Sequence, residues 1–229
     1  MDYLDLSERF TAEVFPNATI AVVAGSAARG TRTATSDIDL LLIGDDLFEG
    51  DRSSLAASYD FEDEVFEVFA YTPDAFEEWA SRGVAQYRPV IVHMLLEGVD
   101  IRGGQPLAVL RNVWREVIAS GPIVSPHELD LRRYAITDLL DDLRDAADPL
   151  ETSVIAFTLF ESVAELVLLS NRRWTGTSKY LPRRLREFDD ARAESLCAPL
   201  LGGNIPAFAQ AAEHELDIVG GRLRGGFVR

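Results

Sequence analysis

The sequence holds one cysteine, Cys197, one lysine, Lys179, and three histidines in 229 residues. A single thiol forms no internal disulfide and supplies no cysteine cluster for a metal. Cys197 is therefore expected as a core thiol. Basic residues are also in short supply: 22 Lys plus Arg against 38 Asp plus Glu leave a formal charge of −16, with a pI near 4.5. Such a field repels phosphate backbones and anionic lipid, so bulk nucleic acid and membrane surfaces are not expected as partners. The most apolar long run, residues 153–170, carries Glu161 and Glu165 inside it and reads as a buried helix of a soluble protein. "MDYLDLSERF" is acidic without an uninterrupted apolar core, so no secretory signal is read there and a cytoplasmic location is expected. No repeat, heptad seam or low-complexity linker is present, and only the tail "GGRLRGGFVR" reads as loose.

The 47% of hydrophobic residues suffices for a proper core, and the pattern divides the chain in two. Residues 1–104 alternate a helix near 5–15 with strands at 19–24, 38–43 and 64–71, which makes this half α/β. "TPDAFEEWA" opens a helix with a Thr cap and Pro at its first position, and "EGVDIRGGQP" reads as a short strand closing in a Gly-Gly turn. Residues 105–229 read as helical throughout. A helix capped by Ser125 carries Leu129, Ile136, Leu140, Leu143 and Ala147 on one face, and helices near 151–172, 182–201 and 204–219 follow.

The chemistry concentrates in "GSAARGTRTATSDIDLLLIG", residues 25–44. A strand, a Gly turn and the first turn of a helix point backbone N–H groups at an anion, phosphate being the obvious one. Alternation in the next strand puts Asp37, Asp39 and Leu41 on one side and Ile38, Leu40 and Leu42 toward the core. Two carboxylates held side by side repel unless a cation lies between them, and hard divalent cations favour oxygen ligands. In "EVFEVFAY", Glu67 sits among apolar residues where its charge needs compensation, while Glu64 at the strand entry is expected to be merely solvated. If this strand lies beside 38–43, Glu67 joins Asp37 and Asp39.

Gly25-Ser26, ten intervening residues, Asp37-Ile38-Asp39 and a later acidic residue on an apolar strand resemble the polymerase-β-type nucleotidyltransferase superfamily. The likeness covers residues 19–103, and the order of elements is similar to small antibiotic-modifying members such as kanamycin nucleotidyltransferase. It implies a mixed-sheet catalytic domain at 1–104, a helical acceptor-binding domain at 105–229, and transfer of a nucleoside monophosphate from a nucleoside triphosphate, ATP being the expected donor. Asp37 and Asp39 would hold two magnesium ions, Glu67 would complete one site, and Gly25 with Ser26 would bind the β and γ phosphates. Glu67 stands where many relatives have Asp.

Transfer at an α-phosphorus needs in-line placement of a hydroxyl, charge neutralisation and a stabilised pyrophosphate. Arg29 and Arg32 follow the Gly-Ser turn at a reach suited to the triphosphate tail. The lone Lys179, beside Trp174 and Tyr180, suits a phosphate as a point charge in a chain whose other 21 basic residues are Arg. On the helix at 128–147, Asp142 lies nearest the apolar stripe and is the candidate general base, with Asp138 and Asp141 as alternatives. Glu161 and Glu165 suit either acceptor binding or a buried ion pair with Arg, while His93 and His127 read as structural and Trp79 and Trp114 as core.

A phosphatase of the haloacid-dehalogenase type fails on order, because here the apolar run follows the aspartates. A glycosyltransferase is disfavoured by the 36 residues before Asp37. The expected function is magnesium-dependent nucleotidyl transfer to a hydroxyl of a small acceptor, with a cationic, aminoglycoside-like one favoured by the acidic charge. The alternatives are a toxin–antitoxin-type enzyme modifying a protein or RNA end, and a catalytically silent nucleotide-binding module.

Overall fold

The structure, a computed structural model, describes residues 3–225. The chain divides into two compact units, one ending at Ser120 and the other starting at Gly121. The helix that follows residue 104 thus belongs to the first unit, beyond the boundary expected there.

In the first unit, α1 (Tyr3–Val14) leads into β1 (Ile20–Val23), a single turn α2 (Gly25–Ala28) and β2 (Ile38–Ile43). Then come β3 (Ser54–Phe61), β4 (Glu64–Tyr71), α3 (Pro73–Ala85), α4 (Val90–Glu97), β5 (Val99–Arg102) and α5 (Gly104–Ser120). The five strands form one sheet in the order β3-β4-β2-β1-β5. Only β2 and β4 run parallel; the other pairs are antiparallel.

Helices cover both faces of this sheet. On one, Ile38, Leu40, Leu42, Phe66, Val68 and Ala70 pack on Leu6 and Phe10 of α1, and Phe10 stacks on Phe66 with ring centres 4.3 Å apart. On the other, Leu41, Ile43 and Tyr71 meet Phe76 of α3, Leu95 of α4 and Trp114 of α5. Leu41 is therefore fully buried, although it shares a face with the aspartates. Trp79, expected in the core, is 42% exposed instead, with the Arg82 guanidinium over its ring.

Strand β3 has no counterpart in the sequence reading. Its "SLAASYDF" lacks Val, Ile and Thr, and its turn to β4 uses Glu62 and Asp63, both at positive φ, where Asn-Gly is the usual signal. Arg9 of α1 grips Glu62 with two hydrogen bonds of 3.1 and 2.7 Å, tying this turn to the covering helix.

The second unit comprises α6 (Pro126–Asp145), α7 (Pro149–Ser170), α8 (Tyr180–Phe188), α9 (Asp190–Leu201) and α10 (Ile205–Ile218). Nine buried residues of α7, from Ala156 to Leu169, are its core. Against them pack Ile136 and Leu140 of α6, Leu185 of α8, Leu196 of α9 and Phe208 of α10. By length and apolarity α7 alone among the described residues qualifies to cross a membrane, and half of its apolar stretch is buried in this core. Cys197 is buried, and burial pushes its thiol pKa up. The helix expected at 182–201 is two: extended backbone at Asp189 ends α8, and the Asp189 carboxylate caps α9 by accepting from the Arg192 amide at 3.0 Å. Ala147 falls past the end of α6 and is exposed.

The expected loose tail is anchored as far as Arg224. Arg133 donates to the carbonyls of Gly220 and Gly221, and the Leu223 amide donates to Thr137 Oγ1 at 3.0 Å. Arg222 bridges Asp141 and Glu213, and Arg224 also reaches Asp141. Residues 226–229 of that stretch lie outside the described residues.

Candidate active site

The site is built where β1 ends. Ala24 is extended and its amide donates to the Asp39 carbonyl at 2.8 Å, which fixes the chain beside β2 before it turns. Gly25 then takes φ +63, a conformation that costs a residue with a Cβ about 1 to 2 kcal/mol. Space excludes a Cβ as well: it would stand 1.6 Å from Asp39 Oδ2 and 2.6 Å from Asp39 Cγ. The turn backbone is thus laid directly against the Asp39 carboxylate. No side chain caps α2, whose single turn spans Gly25, Ser26, Ala27 and Ala28.

Asp39 pairs in register with Glu67 across the parallel β2–β4 ladder, and the next rungs on that face are Leu41 with Phe69 and Ile43 with Tyr71. Those lower rungs lie under α3–α5, while Asp39 and Glu67 are half-buried at the open end. Glu67 is on an interior strand, because β3 and not β4 is the edge. Ser58 of β3 is the register partner of Glu67 on its other side and extends the polar row to three strands, a residue the sequence reading missed along with its strand.

Asp37 precedes β2 and is exposed. Among the described residues no three His, Cys, Asp or Glu side chains are grouped closely enough to hold a metal ion. Asp39 and Glu67 thus form a preset pair that Asp37 does not yet complete. The donors are all carboxylate oxygens, the set that hard divalent cations prefer, and the missing Cβ of Gly25 lets the turn backbone lie against Asp39 Oδ2. In donor chemistry the residues present fit such an ion.

Arg32 and Glu64 depart from expectation. Glu64 is not merely solvated: Arg32 donates from Nη1 to its Oε1 at 2.8 Å and from Nη2 to its Oε2. Arg32 also donates from Nε and Nη2 to the Ser36 carbonyl at 3.1 and 2.9 Å. The Arg32 hydrogen bond, and after it the Arg32 charge, hold the Glu64 carboxyl below its ordinary range against the opposing effect of burial. With its fork occupied on two sides, Arg32 does not stand ready for a triphosphate. Arg29 is exposed.

The remaining predicted residues are in the second unit. Asp142 is exposed, and it is Asp141, four residues after buried Thr137, that is half-buried. Burial works against the Asp141 charge, but hydrogen bonding and charge from Arg222, then Arg224, outweigh it and hold its carboxyl below the usual range. Asp138 is exposed. Of the other pair, Glu165 accepts from Arg132 at 2.7 Å and Glu161 faces solvent. Exposed Lys179 lies over the Tyr180 ring, 5.7 Å from its centre, and Arg183 lies 5.4 Å from it. In the first unit, His93 pairs with Glu97 at 2.8 Å.

Residues 7–87 match the family described as nucleotidyltransferase domain. This segment, which runs from within α1 to just past α3 and holds Gly25, Asp37, Asp39 and Glu67, is similar to a nucleotidyltransferase domain. Among solved structures, the chain is similar to a nucleotidyltransferase-like protein from Exiguobacterium sibiricum, with a TM-score of 0.50 and 15% identity over 94% of this chain and 75% of that one. At that identity the likeness is one of fold. No curated protein matches the sequence.

Proposed function

We propose that the protein transfers a nucleoside monophosphate from a nucleoside triphosphate, ATP being the expected donor, to a hydroxyl of a small acceptor. The observation that carries this reading is the packing of Gly25 on the Asp39 carboxylate, with Glu67 in register beside it. A phosphate received at the α2 turn would stand next to carboxylate oxygens. Two anionic groups share such a place only with a cation between them. Asp37, Asp39 and Glu67 would hold magnesium there, which when bound neutralises charge on the transferring phosphoryl group and the departing pyrophosphate.

The chain's own residues supply placement. Backbone N–H groups of Gly25 and Ser26 orient the β and γ phosphates, and Arg29 and Lys179 are assigned to the triphosphate tail. Asp142 remains the preferred acceptor base over Asp141, whose depressed pKa and two arginine partners make it a poor proton acceptor. The net charge of −16 favours a cationic acceptor, aminoglycosides being one class that fits.

A screen of the four ribonucleoside triphosphates against cationic and neutral polyhydroxyl acceptors, read by pyrophosphate release with and without magnesium, tests the proposal. Acceptor-dependent and metal-dependent release is the expected result. Triphosphate binding with no release for any acceptor overturns it in favour of a silent module, and labelling of protein or RNA alone overturns the small acceptor.

A further inference from the structure

The parallel ladder between β2 and β4 begins at Ile38 with Phe66. Carried two rungs back along the same register, Ser36 stands opposite Glu64, but no backbone pairing continues there. Arg32 spans this gap. Its guanidinium donates twice to the Ser36 carbonyl and twice to the Glu64 carboxylate, so four of its five N–H groups join the incoming loop to the first residue of β4. The Ser36 carbonyl belongs to the peptide unit whose nitrogen is that of Asp37, and a planar peptide held at its oxygen is held at its nitrogen too. The loop is also closed on itself. The Thr33 amide donates to Ser36 Oγ at 3.0 Å, and the Thr33 and Ser36 hydroxyls share a hydrogen bond of 2.8 Å.

We propose that Arg32 and Glu64 are a positioning pair: they pin the 31–37 loop to β4 and so set where Asp37 stands relative to Asp39 and Glu67. This rests on the reading of those three carboxylates as cation ligands. The pair serves the exposed member of the triad, which has no strand of its own to fix it. An arginine is required because one planar fork engages a carboxylate and a carbonyl at once, whereas an ammonium is a single point. Glu64 also occupies the Arg32 guanidinium, which feels the charge of Asp37 and would otherwise compete with metal for it.

The experiment compares full-length wild type with Arg32→Ala, Arg32→Lys, Glu64→Gln and the double variant Arg32→Ala/Glu64→Gln. Amide exchange of residues 33–37 is read without metal, Mn²⁺ binding is read by calorimetry without nucleotide, and kcat and KM are read with whichever triphosphate supports turnover. Either single variant is expected to speed exchange of 33–37 by about tenfold or more. Each weakens Mn²⁺ binding or lowers kcat by about 10- to 100-fold, the range for groups that orient metal ligands. The triphosphate KM stays within about threefold of wild type. Arg32→Lys does not restore the wild-type values, and the double variant is no worse than the worse single one, because one connection is cut in each.

If Arg32→Ala raises the triphosphate KM while Glu64→Gln leaves or lowers it, Arg32 is a phosphate ligand and the proposal is overturned. Unchanged exchange and Mn²⁺ affinity in both variants overturn it as well. A wild type that binds no Mn²⁺ and turns over no triphosphate removes the cation-site reading, and the positioning role falls with it; the exchange data then report separately on the pin.

Discussion

Gly25 and Asp39 touch so closely that each constrains the other. Gly25→Ala adds a methyl group 1.6 Å from Asp39 Oδ2 on a backbone at φ +63. The expected result is a loss of stability beyond the roughly 1 to 2 kcal/mol of the backbone conformation alone, because the carboxylate must also move. Melting curves check this, and activity is expected to fall further than the melting temperature explains. Asp39→Asn acts oppositely on stability: it removes one charge from the in-register Asp39–Glu67 pair, so the metal-free protein holds or gains stability, while turnover in it and in Asp37→Asn drops by about 10²-fold or more. A variant keeping a tenth of wild-type activity would contradict the two-metal reading. Glu67→Gln neutralises a half-buried carboxylate on an interior strand. Because Asp39 and Glu67 are like charges in register, its melting temperature without metal should hold or rise, and the further shift on adding magnesium and triphosphate should shrink. Equal ligand-induced shifts in both proteins would take Glu67 out of the site.

At the scale of elements, the segment after α10 behaves as a strap. Residues 220–224 turn back along α6 and are held by Arg133, Thr137, Asp141 and Glu213. Glu213 is held below its ordinary pKa by its hydrogen bond from Arg144 first, against the opposing effect of burial, and then by the charges of Arg144 and Arg222. Asp141 is depressed as well. Lowered carboxylate pKa values stabilise the folded strap above the unfolded values near 4, and that contribution is lost as pH falls through the lower folded ones. The protection factor of the Leu223 amide should therefore be flat from neutrality to about pH 5 and collapse below about pH 4. In Arg222→Ala it should be low at every pH. A protection factor that declines between pH 6 and 7 would assign the strap to some other group.

The whole molecule carries a charge of −16, and its field acts on encounter rather than on chemistry. For a cationic acceptor, kcat/KM should fall as ionic strength rises from 0.01 to about 0.15 M, where the screening length shrinks from about 30 to 8 Å. For a neutral acceptor it should change little. Equal salt dependence for both would detach the acidic surface from acceptor choice.

Local pattern alone located β2 and β4 to the residue and the Thr72 and Ser125 caps with their following prolines, and it marked Gly25, Asp37, Asp39 and Glu67 as candidates, because each rests on alternation, capping chemistry or spacing within a few residues. Tertiary structure decided the rest. Strand β3 forms from Ser and Ala because β4 offers a partner and Arg9 steadies its turn, neither of which its own sequence signals. Only packing against α3–α5 buries Leu41 while leaving Asp39, two residues earlier on the same face, at the opening. The in-register meeting of Asp39 with Glu67, and the joining of Arg32 to Glu64 across 32 positions, depend on strand order and register. Those are set by how whole elements bury their apolar faces together, a property that no single segment carries.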